Sequence, residues 1–280
     1  MENARVMQRL CACRRCDRPV KASVMNRRTA LRILAPSLFI SPAMSIGASD
    51  PSEKKGWAGG NASLHKMFGA HWYYTWWAGG DGNQEIEFVP MIKNRKDVEG
   101  ENSLNQLRNA KNIKHLLGYN EPERGDQGNL SVADALKHWP KLQAIAEAKN
   151  IPLGSPCTSS DGKGLAWFAE FMKEAKRLKL RVDFIAMHWY RGRDAGDFEA
   201  FLKGLAREYR LPIWLTEFNG WSGTEKENYA FLKSALKFLE KEKSIERYAY
   251  FEPGKGKEHS LLTADGSLTR MGELYRDAGV

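Results

Sequence analysis

From residue 55 onward, short apolar runs alternate with longer stretches whose apolar positions recur at helical spacing. The pattern predicts strands at Lys55–Ala58, Gly69–Trp76, Ile86–Ile92, His115–Asn120, Pro152–Ser155, Asp183–Trp189, Pro212–Glu217 and Arg247–Phe251. The last three, within FIAMHWY, PIWLTEF and YAYFEP, are continuous apolar runs, as expected of strands covered on both faces. Between the strands, Leu165, Phe168, Met172 and Ala175 share one helical face, and Phe198, Phe201, Leu202, Leu205 and Tyr209 share another. Ser131 reads as the N-cap of a helix over 131–149 that Pro140 kinks or divides. Thr224 with Glu227 is a capping-box pattern ahead of Tyr229, Leu232, Ala235 and Leu239. The charged connection from Ile92 to Leu104 has room for only a short irregular helix. Eight strands alternating with helices predict an α/β protein, a single (β/α)8 TIM barrel over residues 51–280. The competing doubly wound sheet lacks support, because no glycine-rich phosphate turn follows any strand.

Composition fits such a domain: 280 residues, 42% apolar and 28% charged, can fill one large core. A formal charge of +9 would suggest a nucleic-acid partner, but residues 1–48 alone hold nine basic and two acidic side chains. The remainder is almost neutral and lacks the basic face that nucleic acid requires. From Met25 the chain reads MNRRTALRILAPSLFISPAMSIGASD, a charged start, an apolar stretch and then small residues. Residues 1–50 are therefore expected to be a basic leader, disordered or cleaved, and the protein to be exported to the periplasm or beyond. The Arg27-Arg28 pair resembles a twin-arginine signal. Arg32 interrupts the apolar stretch, which falls short of the roughly 20 residues of a membrane span, and a start at either Met1 or Met25 fits. Cys11, Cys13 and Cys16 have no nearby fourth ligand, Cys157 being far along the chain, so neither a metal nor a disulfide is expected.

Barrel enzymes carry their chemistry at the C-terminal ends of the strands. Two carboxylates fall there. Asn120 and Glu121 end the fourth strand in NEP, and Glu217 ends the seventh in TEF. Parallel strands of one barrel would aim both acids into one mouth, the arrangement glycoside hydrolysis needs. In this reading Glu121 is the general acid/base, its pKa raised by the other carboxylate and by apolar walls, and Glu217 is the ionised nucleophile. Asn120 would hydrogen-bond the sugar 2-hydroxyl. His188 and Tyr190 share a face of the sixth strand and would reach Glu217 or the sugar. Aromatic rings suit the C–H face of a pyranose: Tyr74, Trp76 and Trp77 on the second strand, with Trp189, Trp221 and Phe251 at or beyond other strand ends.

In order along the chain, KKGWAGG, WYYTWW, EFVPMI, KHLLGYNEPE, WPKL, LGSP, VDFIAMHWY, PIWLTEF, ERYAYFEP and LLTADGSLTRMGELY resemble glycoside hydrolase family 128 from about Lys55 to Tyr275. The resemblance implies a (β/α)8 barrel and retaining hydrolysis of β-1,3-glucan without metal or organic cofactor. A monomer acting on an oligosaccharide or polysaccharide is expected. It places the acid/base on Glu121 and the nucleophile on Glu217. Thr75 stands where the family usually has Asn, and Glu252 beside Phe251 has no assigned role. Endo or exo action stays open. Three rivals share the same residues: a non-catalytic glycan-binding barrel, a hydrolase of another β-glycan, and a transglycosylase.

Overall fold

The structure is a computed structural model and describes residues 51–279. The leader expected over residues 1–50, with Cys11, Cys13 and Cys16, lies outside the described residues.

Six strands pair in parallel: β1 (Lys55–Ala58), β2 (Trp72–Tyr74), β3 (Glu87–Phe88), β4 (Ile185–Trp189), β5 (Ile213–Phe218) and β6 (Ile245–Tyr250). Their order is β3-β2-β1-β6-β5-β4. The runs predicted as fourth and fifth strands form only isolated parallel bridges, Met91 with Leu117, Leu116 with Leu153 and Gly154 with Phe184. Those bridges nevertheless carry the pairing from the β3 side to β4, so eight segments encircle one interior. Close approach explains their irregularity. A Cβ on Gly118 would sit 2.8 Å from the Ser155 carbonyl oxygen, and prolines at 152 and 156 remove ladder donors.

Helices cover the outside: α1 (Ala62–Met67), α2 (Arg95–Glu99), α3 (Glu101–Asn109), α4 (Val132–Lys149), α5 (Gly162–Arg177), α6 (Ala195–Tyr209), α7 (Glu225–Lys241) and α8 (Arg270–Arg276). Ser131 caps α4 by accepting from the Asp134 amide. Pro140 does not divide that helix. It removes one backbone donor, while Trp139, Leu142 and Ile145 on either side are buried and hold both halves to the sheet. The capping box of α7 forms as predicted, with Thr224 and Glu227 each accepting from the other's backbone amide. The connection after Ile92 holds two short helices, α2 and α3, rather than one.

Large side chains fill the barrel interior, among them Trp72, Tyr74, Met91, Leu117, Phe184 and Trp214. Full burial of each contributes about 1.5–3 kcal/mol. At the N-terminal ends of the strands a partly buried polar plug closes the interior. Glu87 accepts from His115 Nδ1 and from Arg247, both at 2.6 Å, and the Arg247 guanidinium lies 4.4 Å from the centre of the Trp214 ring. Two lysines tie the start of the barrel to its end. Lys54 Nζ donates to the carbonyls of Leu239, Glu240 and Glu242 at the end of α7, and Lys55 Nζ to those of Tyr275, Arg276 and Ala278 at the end of α8. Each ammonium meets the negative end of a helix dipole. The opposite rim carries the loops that follow the strand ends.

Candidate active site

The fourth segment ends at Asn120, whose amide donates to the Lys93 carbonyl, while the Glu121 amide donates to that of Cys157 (2.7 Å). Glu121 adopts a left-handed conformation, φ 38°, which turns its side chain out of the strand path. Glu217 reaches the mouth by a different device. Ile213 and Leu215 of β5 face the helices, and simple alternation would send residue 217 the same way. Leu215 pairs with Tyr248 and Phe218 with Tyr250, so two residues of β5, Thr216 and Glu217, oppose the single Ala249 of β6. Against β4, Met187 pairs with Leu215 and His188 with Glu217. This β-bulge re-aims Glu217 inward.

Both glutamates, with Asn120, Trp76, Tyr190 and Phe251, line one cavity of about 630 Å³. His188 lies wholly buried beneath it. Its Nδ1 is 3.4 Å from Glu121 Oε1 and its Nε2 is 3.4 Å from Glu217 Oε1. Glu217 also accepts from the Tyr74 hydroxyl and from Trp76 Nε1, each at 2.7 Å, and its second oxygen accepts from the Tyr190 hydroxyl. Glu121 is held more loosely, by His188 and by Arg124 Nε at 3.5 Å. One carboxylate is fixed by donors from several elements, and the other retains freedom to move.

The electrostatics correct one expectation. Burial pushes the Glu121 carboxyl up, but the His188 hydrogen bond and charge, with the nearby Arg124, outweigh it and leave the pKa below the usual value. The raised pKa expected from the sequence had counted the second carboxylate without the cation between the two. Burial likewise disfavours a charge on His188, yet Glu217, Cys157 and Glu121 together hold its pKa well above the usual imidazole value. His188 is hydrogen-bonded to Glu121 through Nδ1, while Nε2 stands 3.4 Å from Glu217 without hydrogen-bond geometry, so the second carboxylate acts on the ring through its charge.

The predicted sugar contacts divide. Asn120, Tyr190, Trp76 and Phe251 line the cavity. Tyr74 and His188 are fully buried and touch the glutamates rather than open space. Trp189 does not belong to the cleft: strand alternation turns it outward, where it packs on Phe198 and Phe201 of α6. Trp77 is 54% exposed on the rim, outside the cavity lining. Glu252 accepts from the Gly254 and Leu261 amides and from the Ser260 hydroxyl, and so anchors the 252–261 loop.

Several lining residues were not anticipated: Lys93, Arg124, Gln127, Asp161 and Arg191. They follow strand ends within a few positions, and that placement was the available signal. Arg124 Nη2 donates to Asp161 at 2.6 Å, and the buried Glu123 accepts from the Ser159 amide, locking two neighbouring loops together. Trp221, 60% exposed at φ 60°, stands at the mouth with its ring 5.4 Å from that of Tyr190. Arg193 holds its loop by donating to the carbonyls of Gly220 and Ser222. Among the described residues no group of three His, Cys, Asp or Glu side chains is disposed to hold a metal ion, and no helix is long and apolar enough to cross a membrane.

Residues 50–275 match the family described as glycosyl hydrolase catalytic core. The chain is similar to the crystal structure of a family 128, subgroup I, endo-β-1,3-glucanase from Amycolatopsis mediterranei in complex with laminaritriose. The two are 33% identical with a TM-score of 0.70, over 81% of this chain and 99% of that one. A subgroup III curdlan-specific exo-β-1,3-glucanase from Blastomyces gilchristii, bound to glucose, is 29% identical with a TM-score of 0.67, over 81% and 99%. The alkali-sensitive linkage protein 1 of Schizosaccharomyces pombe is 34% identical over 227 residues, 74% of this chain. The match spans only 40% of that curated relative's length.

Proposed function

Because the chain belongs to the glycosyl hydrolase catalytic core family and, within it, to glycoside hydrolase family 128, we propose that it hydrolyses β-1,3-glucan with retention of configuration. One observation carries the reading: two glutamates from distant parts of the sequence meet opposite nitrogens of one buried imidazole at a single cavity. Glu217 is the nucleophile. Its carboxylate is pinned by Tyr74, Trp76 and Tyr190 and stays in place as the anomeric carbon moves toward it. Glu121 is the acid/base, and its looser tethering suits a group that must first give a proton to the leaving oxygen and then take one from water. Asn120 at the cavity edge is placed for the 2-hydroxyl, with its Nδ2 engaged by Gln127 at 3.5 Å.

The Amycolatopsis mediterranei relative supports these roles. Variants of it lacking one or the other of two glutamates were crystallised with laminari-oligosaccharides, and those glutamates are separated by nearly the same interval as Glu121 and Glu217. The relatives include both endo and exo enzymes, so the mode of cutting is not assigned from them. Export through the leader belongs to the same proposal and rests on the Arg27-Arg28 pair and the apolar stretch behind it.

Hydrolysis of laminarihexaose followed by proton NMR tests the function. New reducing ends of β configuration at early times are the expected result. First-formed α products would remove retention, and binding without cleavage would favour a silent glycan-binding barrel. Reducing-sugar release from β-1,4-glucan but not laminarin would reassign the substrate.

A further inference from the structure

Resting on that reading, we propose that His188 is the store of the catalytic proton, delivering it through Glu121 to the leaving oxygen as Glu217 becomes esterified. Four observations converge on it. His188 is completely buried, so water does not exchange its proton directly. Among the described residues it is the one basic side chain within 4 Å of both glutamates, 3.4 Å from each through opposite ring nitrogens. Glu121 in the free protein sits below its usual pKa and is ionised at neutral pH, so it does not itself hold the proton that leaving-group departure needs. Finally, the largest influence keeping His188 charged against burial is the negative charge of Glu217.

The last point sets the timing. When Glu217 attacks the anomeric carbon, its oxygen forms a covalent bond and its charge disappears. The support for the imidazolium then falls, while the glycosidic oxygen gains negative charge as its bond to carbon breaks. The Nδ1–H bond of His188 breaks as an O–H bond forms on Glu121 Oε1, and Glu121 passes its proton to the leaving oxygen. The buried group holds one net negative charge before (two carboxylates, one imidazolium) and one after (Glu121 carboxylate, neutral imidazole, ester). No uncompensated charge is created beside the buried ring, where charge is costly. In the second half, water gives its proton to Glu121 and thence to His188, its hydroxyl displaces the ester, and Glu217 regains its charge. The other groups facing His188 do not compete for this role. The thiol of Cys157 is buried with its pKa raised, and the hydroxyls of Tyr74 and Tyr190, on the Glu217 side, are both raised well above the usual phenol value.

The decisive measurement uses the wild-type protein with nitrogen-15-labelled histidine. Imidazole shifts are recorded at neutral pH for the free enzyme and after trapping Glu217 with an activated 2-deoxy-2-fluoro-β-laminaribioside. His188 is expected to be doubly protonated when free and neutral when trapped. A neutral His188 in the free enzyme, or a charged one in the trapped enzyme, overturns the proposal. Failure of any covalent adduct to form would instead overturn the retaining reading on which it rests. A second readout separates proton supply from simple positioning. His188→Gln is expected to lose about 100-fold or more in kcat/KM on laminari-oligosaccharides, with the alkaline limb of the pH profile moved to lower pH. On a dinitrophenyl β-laminaribioside, whose departure needs no proton, the glycosylation step is expected to fall less than about 10-fold. Equal losses on both substrates with an unmoved alkaline limb would leave His188 a purely structural residue.

Discussion

The hydroxyl of Tyr74 donates to Glu217 Oε1 at 2.7 Å across 143 residues of sequence, from inside the barrel wall rather than from the cleft. Tyr74 therefore orients the proposed nucleophile without being able to touch a sugar. Tyr74→Phe removes a hydrogen bond to a charged group, worth about 1.5–3 kcal/mol. The expected result is a kcat about 10- to 100-fold lower on laminari-oligosaccharides with KM little changed. A raised KM at constant kcat would show that Tyr74 serves binding instead.

The two glutamates should fail differently. Glu217→Gln is expected to abolish hydrolysis of natural and activated substrates alike while keeping a folded barrel by circular dichroism. Glu121→Ala should lose activity on laminarin yet retain turnover of dinitrophenyl glycosides, with azide restoring rate through a glycosyl azide product. Wild-type laminarin turnover by either variant would end the proposed mechanism.

Trp221 stands exposed at the mouth with its loop held by Arg193 rather than by its own packing. Trp221→Ala is expected to weaken oligosaccharide binding, raising KM by about 5- to 30-fold for loss of roughly 1–2 kcal/mol of ring stacking. Its thermal midpoint should stay within about 2 °C of wild type, since little buried area is lost. A large drop in midpoint would mark the residue as structural.

The plug at the other end of the barrel gives a stability prediction. Burial raises the Glu87 carboxyl, but the His115 hydrogen bond and the Arg247 charge bring it down to about 2. With its folded pKa below the unfolded value near 4.5, Glu87 contributes stability above pH 4.5 that is lost as the pH falls toward 2. The shift corresponds to about 3 kcal/mol. Urea unfolding should show Glu87→Gln clearly destabilised at pH 7, where the half-buried Arg247 is left beside a neutral amide, and the gap to wild type narrowing at pH 3. A gap independent of pH would disprove the ionic account.

Alternation of apolar runs with helical stretches was enough to place the eight segments in order, because each strand and helix buries a face whose period is local. It misjudged extent. The second and third runs shrink to Trp72–Tyr74 and Glu87–Phe88. The fourth and fifth form only isolated bridges, because the chain passes closely at Gly118, and Pro152 and Pro156 supply no ladder donor. Trp189 was misplaced for a related reason: counting from the strand end ignores which face a residue occupies, and its neighbours His188 and Tyr190 point the other way.

The sequence by itself determined the class of fold, the two strand-end glutamates and the store of aromatic residues around them, since each is a property of a short stretch and its own periodicity. Only the tertiary structure decided that Glu217 turns inward, through a bulge visible solely against β4 and β6. It alone decided that a buried histidine stands between the acids and reverses the expected shift of Glu121, because the field at a carboxylate is a sum over neighbours brought together from remote parts of the chain.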